Sequence, residues 1–368
     1  MKIKNLPFIL LAFLSSCTNI DTTQPLDHLL LEIKEKYEIP ALSIAVVSAD
    51  SLLYQKAIGL KSIKKTDTVS INDAFHIGSN TKAFTATLCA KLEQNGLIDL
   101  ESKILDIFPE FSDSINAIYK DVTLNDLLAH RAGIKAYTQK NDVLNLPQYT
   151  DSEIAQRQQF TKWLLQQPSD YIGSFEYSNA GYSIATAMIE KVTGQSWKSL
   201  MRQHVFDSLH ITGNFGWPIN NTQHGVWGHY FSEETKELIP HNGTDYQVNS
   251  LIESAGDLNM SAIDFGKYLQ YLLQEIQVKN ADMTKRLFDS KYGYSMGWHK
   301  KQRNNLFVLE HFGSAGTFHS YAMIIKEKNM AVVILSNAYT NQSKQALELI
   351  REIVLEKTVK DQLVKEQV

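Results

Sequence analysis

A serine three residues before a lysine, at the start of a helix, puts a hydroxyl and an amine on one face, a single turn apart. The amine can then serve as base and the hydroxyl as nucleophile. The 368-residue chain holds this spacing twice, in Ser62-Ile63-Lys64-Lys65 and in Ser79-Asn80-Thr81-Lys82. The first lies in a polar, lysine-rich turn and reads as a solvated loop. The second follows the apolar-aromatic Ala74-Phe75-His76-Ile77-Gly78 and opens a helix expected from Asn80 to Gln94, which Gly96 closes with a left-handed cap. Only that setting fixes a nucleophile rigidly. It also places Lys82 in the first helical turn, where the helix dipole disfavours an ammonium ion and should lower its pKa.

A second group must carry the proton from the serine to the leaving group, and a tyrosine near a lysine can do so. Tyr-x-Asn also occurs twice, at Tyr177-Ser178-Asn179 and Tyr339-Thr340-Asn341. The latter sits in a polar turn after the last expected strand. The former lies 98 residues after Ser79, between Gly173 and Gly181, in a region expected to pack over the sheet. A third element must present a backbone N–H where a carbonyl oxygen becomes negative. His311-Phe312-Gly313-Ser314 fits best, because a paired strand pattern follows it, unlike its rivals His241-Asn242-Gly243 and Lys291-Tyr292-Gly293. Small residues Gly313, Ala315 and Gly316 would let a substrate lie against the backbone.

These groups need a frame. Apolar residues at helical spacing run from Leu26 to Tyr37, and strands are expected at Ala41 to Val47 and Leu52 to Ile58, joined as a hairpin by Ser48-Ala49-Asp50-Ser51. From Leu124 to about Leu209 the pattern is mostly helical. Leu306 to Glu310, Ser320 to Ile325 and Met330 to Ser336 read as strands, and Gln345 to Val359 as a closing helix. Strands therefore cluster at both chain ends. The expected fold class is α+β: an antiparallel sheet formed from both termini, flanked by helices, with an inserted, mainly helical subdomain.

Composition narrows the setting. Hydrophobic residues make up 43% and charged residues 21%, an ordinary globular balance. Lys plus Arg is 36 against 40 for Asp plus Glu, a formal net charge of −4, so nothing in the composition favours nucleic acid. Two cysteines exclude a disulfide scaffold and a multi-cysteine zinc site. His224 and His229 lack metal-ligand spacing, His-Glu-x-x-His and Gly-x-Ser-x-Gly are absent, and no metal or cofactor is expected. Lys2 and Lys4 followed by the apolar stretch Leu6 to Leu14 read as a secretory signal, too short to span a bilayer. The ending Leu14-Ser15-Ser16-Cys17 resembles the bacterial lipoprotein box, so residues 1–16 read as signal peptide, 17–25 as a tether lipidated at Cys17, 26–360 as the folded domain and 361–368 as a polar tail. Asn214 to Ser250, rich in aromatic and polar residues, is either a surface loop packed by its own aromatics or a lid over the pocket.

Taken together and in order, Ser79-x-x-Lys82, Tyr177-x-Asn179 and His311-x-Gly313 resemble the three motifs of the serine beta-lactamase and penicillin-binding-protein superfamily. The class C branch, with its D-alanyl-D-alanine carboxypeptidase, D-aminopeptidase and esterase relatives, is the nearest in pattern. Leu127-Leu128-Ala129-His130-Arg131-Ala132-Gly133-Ile134, Ser254-Ala255-Gly256-Asp257-Leu258 and Tyr292-Gly293-Tyr294-Ser295-Met296-Gly297-Trp298 are also similar to segments of that branch. The resemblance implies the beta-lactamase/transpeptidase-like fold and an acyl-enzyme formed on Ser79, with Lys82 and Tyr177 sharing the proton work. It implies an oxyanion hole from the N–H groups of Ser79 and Ser314, Asn179 bonded to Lys82 or to a substrate amide, and His311 beside Tyr177. The substrate would be a small molecule or peptide with an ester, amide, beta-lactam or D-amino-acid peptide bond. Phe312 stands where penicillin-recognising relatives usually have threonine and cannot donate that hydroxyl's hydrogen bond, and a neutral His311 would hold an anion less well than lysine. An ester or small amide is thereby favoured. The competing expectation is a catalytically silent envelope module that binds cell-wall fragments or a partner on the same fold.

Overall fold

The computed structural model describes residues 24–169, 172–222, 224–243, 248–278, 282–288 and 292–360. The expected signal peptide (residues 1–16), Cys17 and the expected polar tail (361–368) lie outside them. The main sheet has seven strands: β1 (Ala41–Ser48), β2 (Leu52–Gly59), β3 (Tyr294–Ser295), β4 (Trp298–Arg303), β5 (Leu306–Ser314), β6 (His319–Ile325) and β7 (Met330–Ser336). Their spatial order is β2-β1-β7-β6-β5-β4-β3 and neighbouring strands are antiparallel, so the early β1 is zipped to the late β7, Leu42 facing Ser336 and Ser48 facing Met330.

The central strands are apolar at nearly every position because both of their faces are covered. Leu42, Ile44 and Val46 pack with Met323, Val332 and Ile334 under α1 (Leu26–Lys36) and α6 (Asn341–Val359). The alternate residues Ala45, Val47, Ile324 and Val333 face α5 (Ala262–Gln277) and the helical region. Period-two side-chain alternation thus feeds two separate cores. The helical region supplies α2 (Thr81–Gln94), α3 (Glu153–Leu165) and α4 (Asn179–Thr193), and α2 and α4 are buried along most of their lengths. Gly96 has φ +69° and ends α2 as the left-handed cap expected from sequence.

Two parts of the architecture were not foreseen. β3 and β4 extend the sheet past β5, and a three-stranded sheet joins Phe75–His76, Leu258–Met260 and Gly213–Phe215. The described residues of Asn214 to Ser250 divide between a buried anchor and a surface hairpin, in which the Tyr230 ring lies 6.3 Å from His241. Trp217 is fully buried and its indole lies 4.5 Å from the His76 ring, beneath the turn that carries Ser79. Gly228–Ser232 and Glu237–His241 form a hairpin, and no described residue of the segment lines the cavity beside Ser79. His229 is a structural tie, its Nε2 accepting from Ile63 N–H at 3.2 Å and its Nδ1 bonding the Asn337 carbonyl at 2.7 Å.

Candidate active site

Ser79 lies in a 3-10 turn, Gly78–Asn80, that runs directly into α2. The helical spacing does what the sequence required: Lys82 Nζ stands 3.4 Å from Ser79 Oγ. It also donates to Asn179 Oδ1 at 2.7 Å and to the Ala255 carbonyl at 2.9 Å. Lys82 is fully buried, and that loss of hydration holds its amine well below the ordinary lysine range. Burial, rather than the helix dipole, is the main cause. A neutral amine has two protons and one lone pair, and this environment offers two strong acceptors and one hydroxyl. In that neutral form, protons directed to Asn179 and Ala255 would leave the lone pair facing the Ser79 hydroxyl.

The Tyr177 ring lies under the same nitrogen, 4.6 Å from Nζ to ring centroid, with the Tyr182 ring at 5.7 Å. Burial raises the Tyr177 phenol above its usual range, partly offset by a hydrogen bond with Ser79, so it remains protonated at neutral pH. Asn179, the first residue of α4, has both amide ends engaged, with Nδ2 donating to Tyr137 O at 2.9 Å. Its bond to Lys82 is present, and its amide nitrogen keeps a second N–H beyond the one given to Tyr137.

His311 comes from β5, its ring centroid 6.1 Å from that of Tyr177, and its Nε2 lies 3.3 Å from Tyr294 Oη. Burial, reinforced by Lys82, pushes His311 well below the usual imidazole range, which makes it neutral at pH 7. His299 on β4 sits 5.5 Å from the His311 ring and is lowered to about 4, mainly by burial. The wall beside Tyr177 is therefore aromatic and uncharged. Gly313 is needed, but for a reason other than substrate approach: a Cβ there would come within 2.1 Å of the Ile77 carbonyl and 2.4 Å of Ser320 Oγ. The glycine lets β5 press against the nucleophile turn. A Cβ on Gly78 would fall 2.5 Å from Ser314 N, so the residue just before Ser79 lies directly against the Ser314 backbone.

Ser79, Tyr177, Asn179, His311 and Ser314 line one cavity of about 630 Å³. Its outer part carries Lys301, Lys344 and Arg351 beside Glu348, with Phe312 packed at 5.5 Å from His319 and 5.6 Å from Tyr321 by ring centroid. The other two spacings lie elsewhere: Ser62 is buried in its loop with Lys65 over the Trp227 ring at 4.7 Å, and Asn341 begins α6.

Sequence reasoning missed the groups behind this constellation. The Ala255 carbonyl has no side-chain signature. Its turn is fixed by a buried ion cluster in which Arg157 of α3 pairs with Glu190 of α4 at 2.7 Å and with Glu253 at 2.9 Å, and donates to the Ser250 carbonyl. Arg157, Glu190 and Glu253 are each buried. A spacing of 33 residues between Arg157 and Glu190 leaves no local pattern to read.

This fold is that of the beta-lactamase and penicillin-binding-protein-like serine hydrolase family. The chain belongs to the beta-lactamase family, whose model matches residues 26–355. Among curated relatives, protein flp of Staphylococcus aureus strain N315 is 24% identical over 333 residues, covering 86% of this chain and 63% of that protein. Penicillin-binding protein 4 of Amycolatopsis lactamdurans is 28% identical over 181 residues, covering 48% of this chain and 45% of its own length. The chain thus spans less than two thirds of these relatives. The octameric penicillin-binding protein homologue from Pyrococcus abyssi superposes with a TM-score of 0.70 at 21% identity, covering 88% of this chain and 76% of that one. A class C beta lactamase from Rhodobacter sphaeroides gives 0.67 at 20% identity, covering 90% and 99%. These likenesses establish the beta-lactamase/transpeptidase fold expected from the motifs.

Proposed function

We propose that the chain is a serine hydrolase that forms an acyl-enzyme on Ser79. The observation that carries this reading is the bonding of Lys82 Nζ, buried and held between Asn179 Oδ1, the Ala255 carbonyl and Ser79 Oγ. A binding module has no use for a desolvated lysine beside a serine. In the acylation step the Ser79 proton passes to the Lys82 lone pair while Oγ bonds the substrate carbonyl carbon. The carbonyl oxygen takes the negative charge between the N–H groups of Ser79 and Ser314. Collapse expels the leaving group, which takes the Tyr177 phenolic proton, and Lys82 returns a proton to Tyr177. Water then attacks the acyl carbon with the same groups working in reverse, releasing the acid and restoring Ser79.

The proposed substrate class rests on the groups next to Tyr177, since the cations Lys301, Lys344 and Arg351 lie in the outer part of the cavity. With His311 and His299 neutral and Phe312 lacking a hydroxyl, an ester or small amide is favoured over a beta-lactam or a peptide ending in D-alanine. A silent binding module on the same scaffold is the competing reading. Intact-mass measurement after incubation with a fluorophosphonate separates them. A single adduct on the native protein and none on Ser79→Ala supports the hydrolase, whereas an unmodified native protein with no turnover of p-nitrophenyl esters supports the module.

We also propose export and anchoring through a lipidated Cys17, on the strength of the Leu14-Ser15-Ser16-Cys17 sequence. Metabolic labelling with a palmitate analogue should mark the wild-type chain and not Cys17→Ser; equal labelling of both would rule it out.

A further inference from the structure

The first N–H groups of a helix have no intrahelical acceptors, so the turn carrying Ser79 has donors to place. Gly78 N–H goes to His76 Nδ1 at 3.1 Å, and Asn80 N–H to the Ile77 carbonyl at 3.2 Å. The Ser79 N–H lies between them. It shares a planar trans peptide unit with the Gly78 carbonyl, so whatever holds that carbonyl also aims the N–H. Thr81 holds it from two sides: its backbone N–H bonds Gly78 O, as the 3-10 turn requires, and its Oγ1 donates to the same oxygen at 2.7 Å while accepting from Leu258 N–H at 3.1 Å, so the hydroxyl is the part of the hold that a side-chain substitution can remove. The hydroxyl proton and one lone pair are both committed, and the dipoles of Leu258 N–H, Thr81 O–H and the Gly78–Ser79 peptide run head to tail. Hydrogen bonds aligned in this way polarise one another and strengthen the last donor.

The other side of the same turn is held from the residue next to Leu258. Because His76 Nδ1 accepts from Gly78 N–H, its proton is on Nε2, which reaches Asp257 Oδ1 at 3.3 Å. His76 is fully buried under Trp217. The Asp257–His76 pair has the composition of two thirds of a serine triad, yet both ring nitrogens are occupied by backbone and carboxylate. It therefore holds a peptide and takes no proton from Ser79. Residues 257 and 258 thus grip the nucleophile turn at both ends, and Gly78, with φ +52°, keeps that turn against Ser314.

We propose that Thr81, backed by the Asp257–His76 pair, is a positioning residue that aims the Ser79 N–H as an oxyanion donor. The inference rests on the serine-hydrolase reading above. The test compares wild type, Thr81→Val and Thr81→Ser in p-nitrophenyl ester turnover, in inhibition by phenylboronic acid, whose serine adduct is a tetrahedral anion, and in deuterium uptake across residues 76–82. Complete loss of an oxyanion donor costs about a hundredfold to a thousandfold. A misaimed donor in Thr81→Val should lower kcat about tenfold to a hundredfold with KM little changed, weaken phenylboronic acid by a similar factor and speed exchange across 76–82. Thr81→Ser, which keeps the hydroxyl, should recover all three. Thr81→Val with wild-type kcat and boronate affinity overturns the proposal, as does a Thr81→Ser no better than Thr81→Val. If the wild type takes no fluorophosphonate, the hydrolase reading falls. Deuterium uptake then decides the clamp alone, unchanged exchange in Thr81→Val refuting it.

Discussion

The chain contains the same four-residue spacing in two places, and only one of them is built for chemistry. Ser62 and Lys65 occupy a loop, where the Ser62 hydroxyl caps Lys64 N–H and Lys65 lies over Trp227. Ser79 and Lys82 occupy a helix start in which the amine is stripped of water and given two acceptors. Reactivity is a property of the lysine's surroundings, and those come from Asn179 and Ala255, 97 and 173 residues further along.

The largest effects should separate the two copies outright. Ser79→Ala is expected to abolish the fluorophosphonate adduct, whereas Ser62→Ala leaves it intact, as read by intact mass. Adduct formation lost in Ser62→Ala and kept in Ser79→Ala would invert the assignment. Next, Lys82→Ala should slow acylation about a hundredfold to ten-thousandfold, the usual span for a lost general base. Lys65→Ala should leave the stopped-flow burst rate within about twofold, as surface changes usually do.

The remaining tests concern what sustains the difference. Removing one partner of a buried ion cluster leaves charges uncompensated, so Arg157→Ala should cost about 3–5 kcal/mol in urea unfolding. A loss under about 1 kcal/mol, at the level of an exposed pair, would contradict its structural role. The smallest effect is a pH signature. Lys82 has a native pKa below its unfolded value, so from about pH 10.4 downward the unfolded chain binds a proton that the native state refuses. That penalty deepens as pH falls toward the native pKa and vanishes at high pH. Relative to wild type, Lys82→Met should therefore gain Tm, by about 1–3 °C, on going from pH 10.5 to pH 7.5. Parallel Tm curves for the two proteins would mean that the native amine is not depressed.

What the sequence disclosed and what it concealed follow from the range of the interactions. Ser79 and Lys82 were legible because a helix fixes their separation locally, and the sheet was legible because β1, β6 and β7 are unbroken apolar runs bounded by turns. The two-residue β3 is too short to show alternation, yet it brings Tyr294 to His311. The Ala255 carbonyl and the Ser79 N–H carry no side-chain identity at all. Trp217 reads as part of a loop because its partner, His76, is 141 residues earlier. Gly313 was legible as a site residue, but its partner, Ile77 O, was not, which is why it was expected to face substrate.

The pairing of β1 with β7 has a consequence for biosynthesis. Ala41 N–H bonds Asn337 Oδ1 across 296 residues, and β7 lies between β1 and β6 in the strand order. A ribosome must therefore make the chain through β7 before the sheet can close, and such long-range pairing is slow. Until then β5 has no completed sheet to press it against the nucleophile turn, and the serine stays unassembled. If the proposed export and hydrolysis hold, late closure would keep the chain threadable through a translocation channel and delay activity until it has arrived.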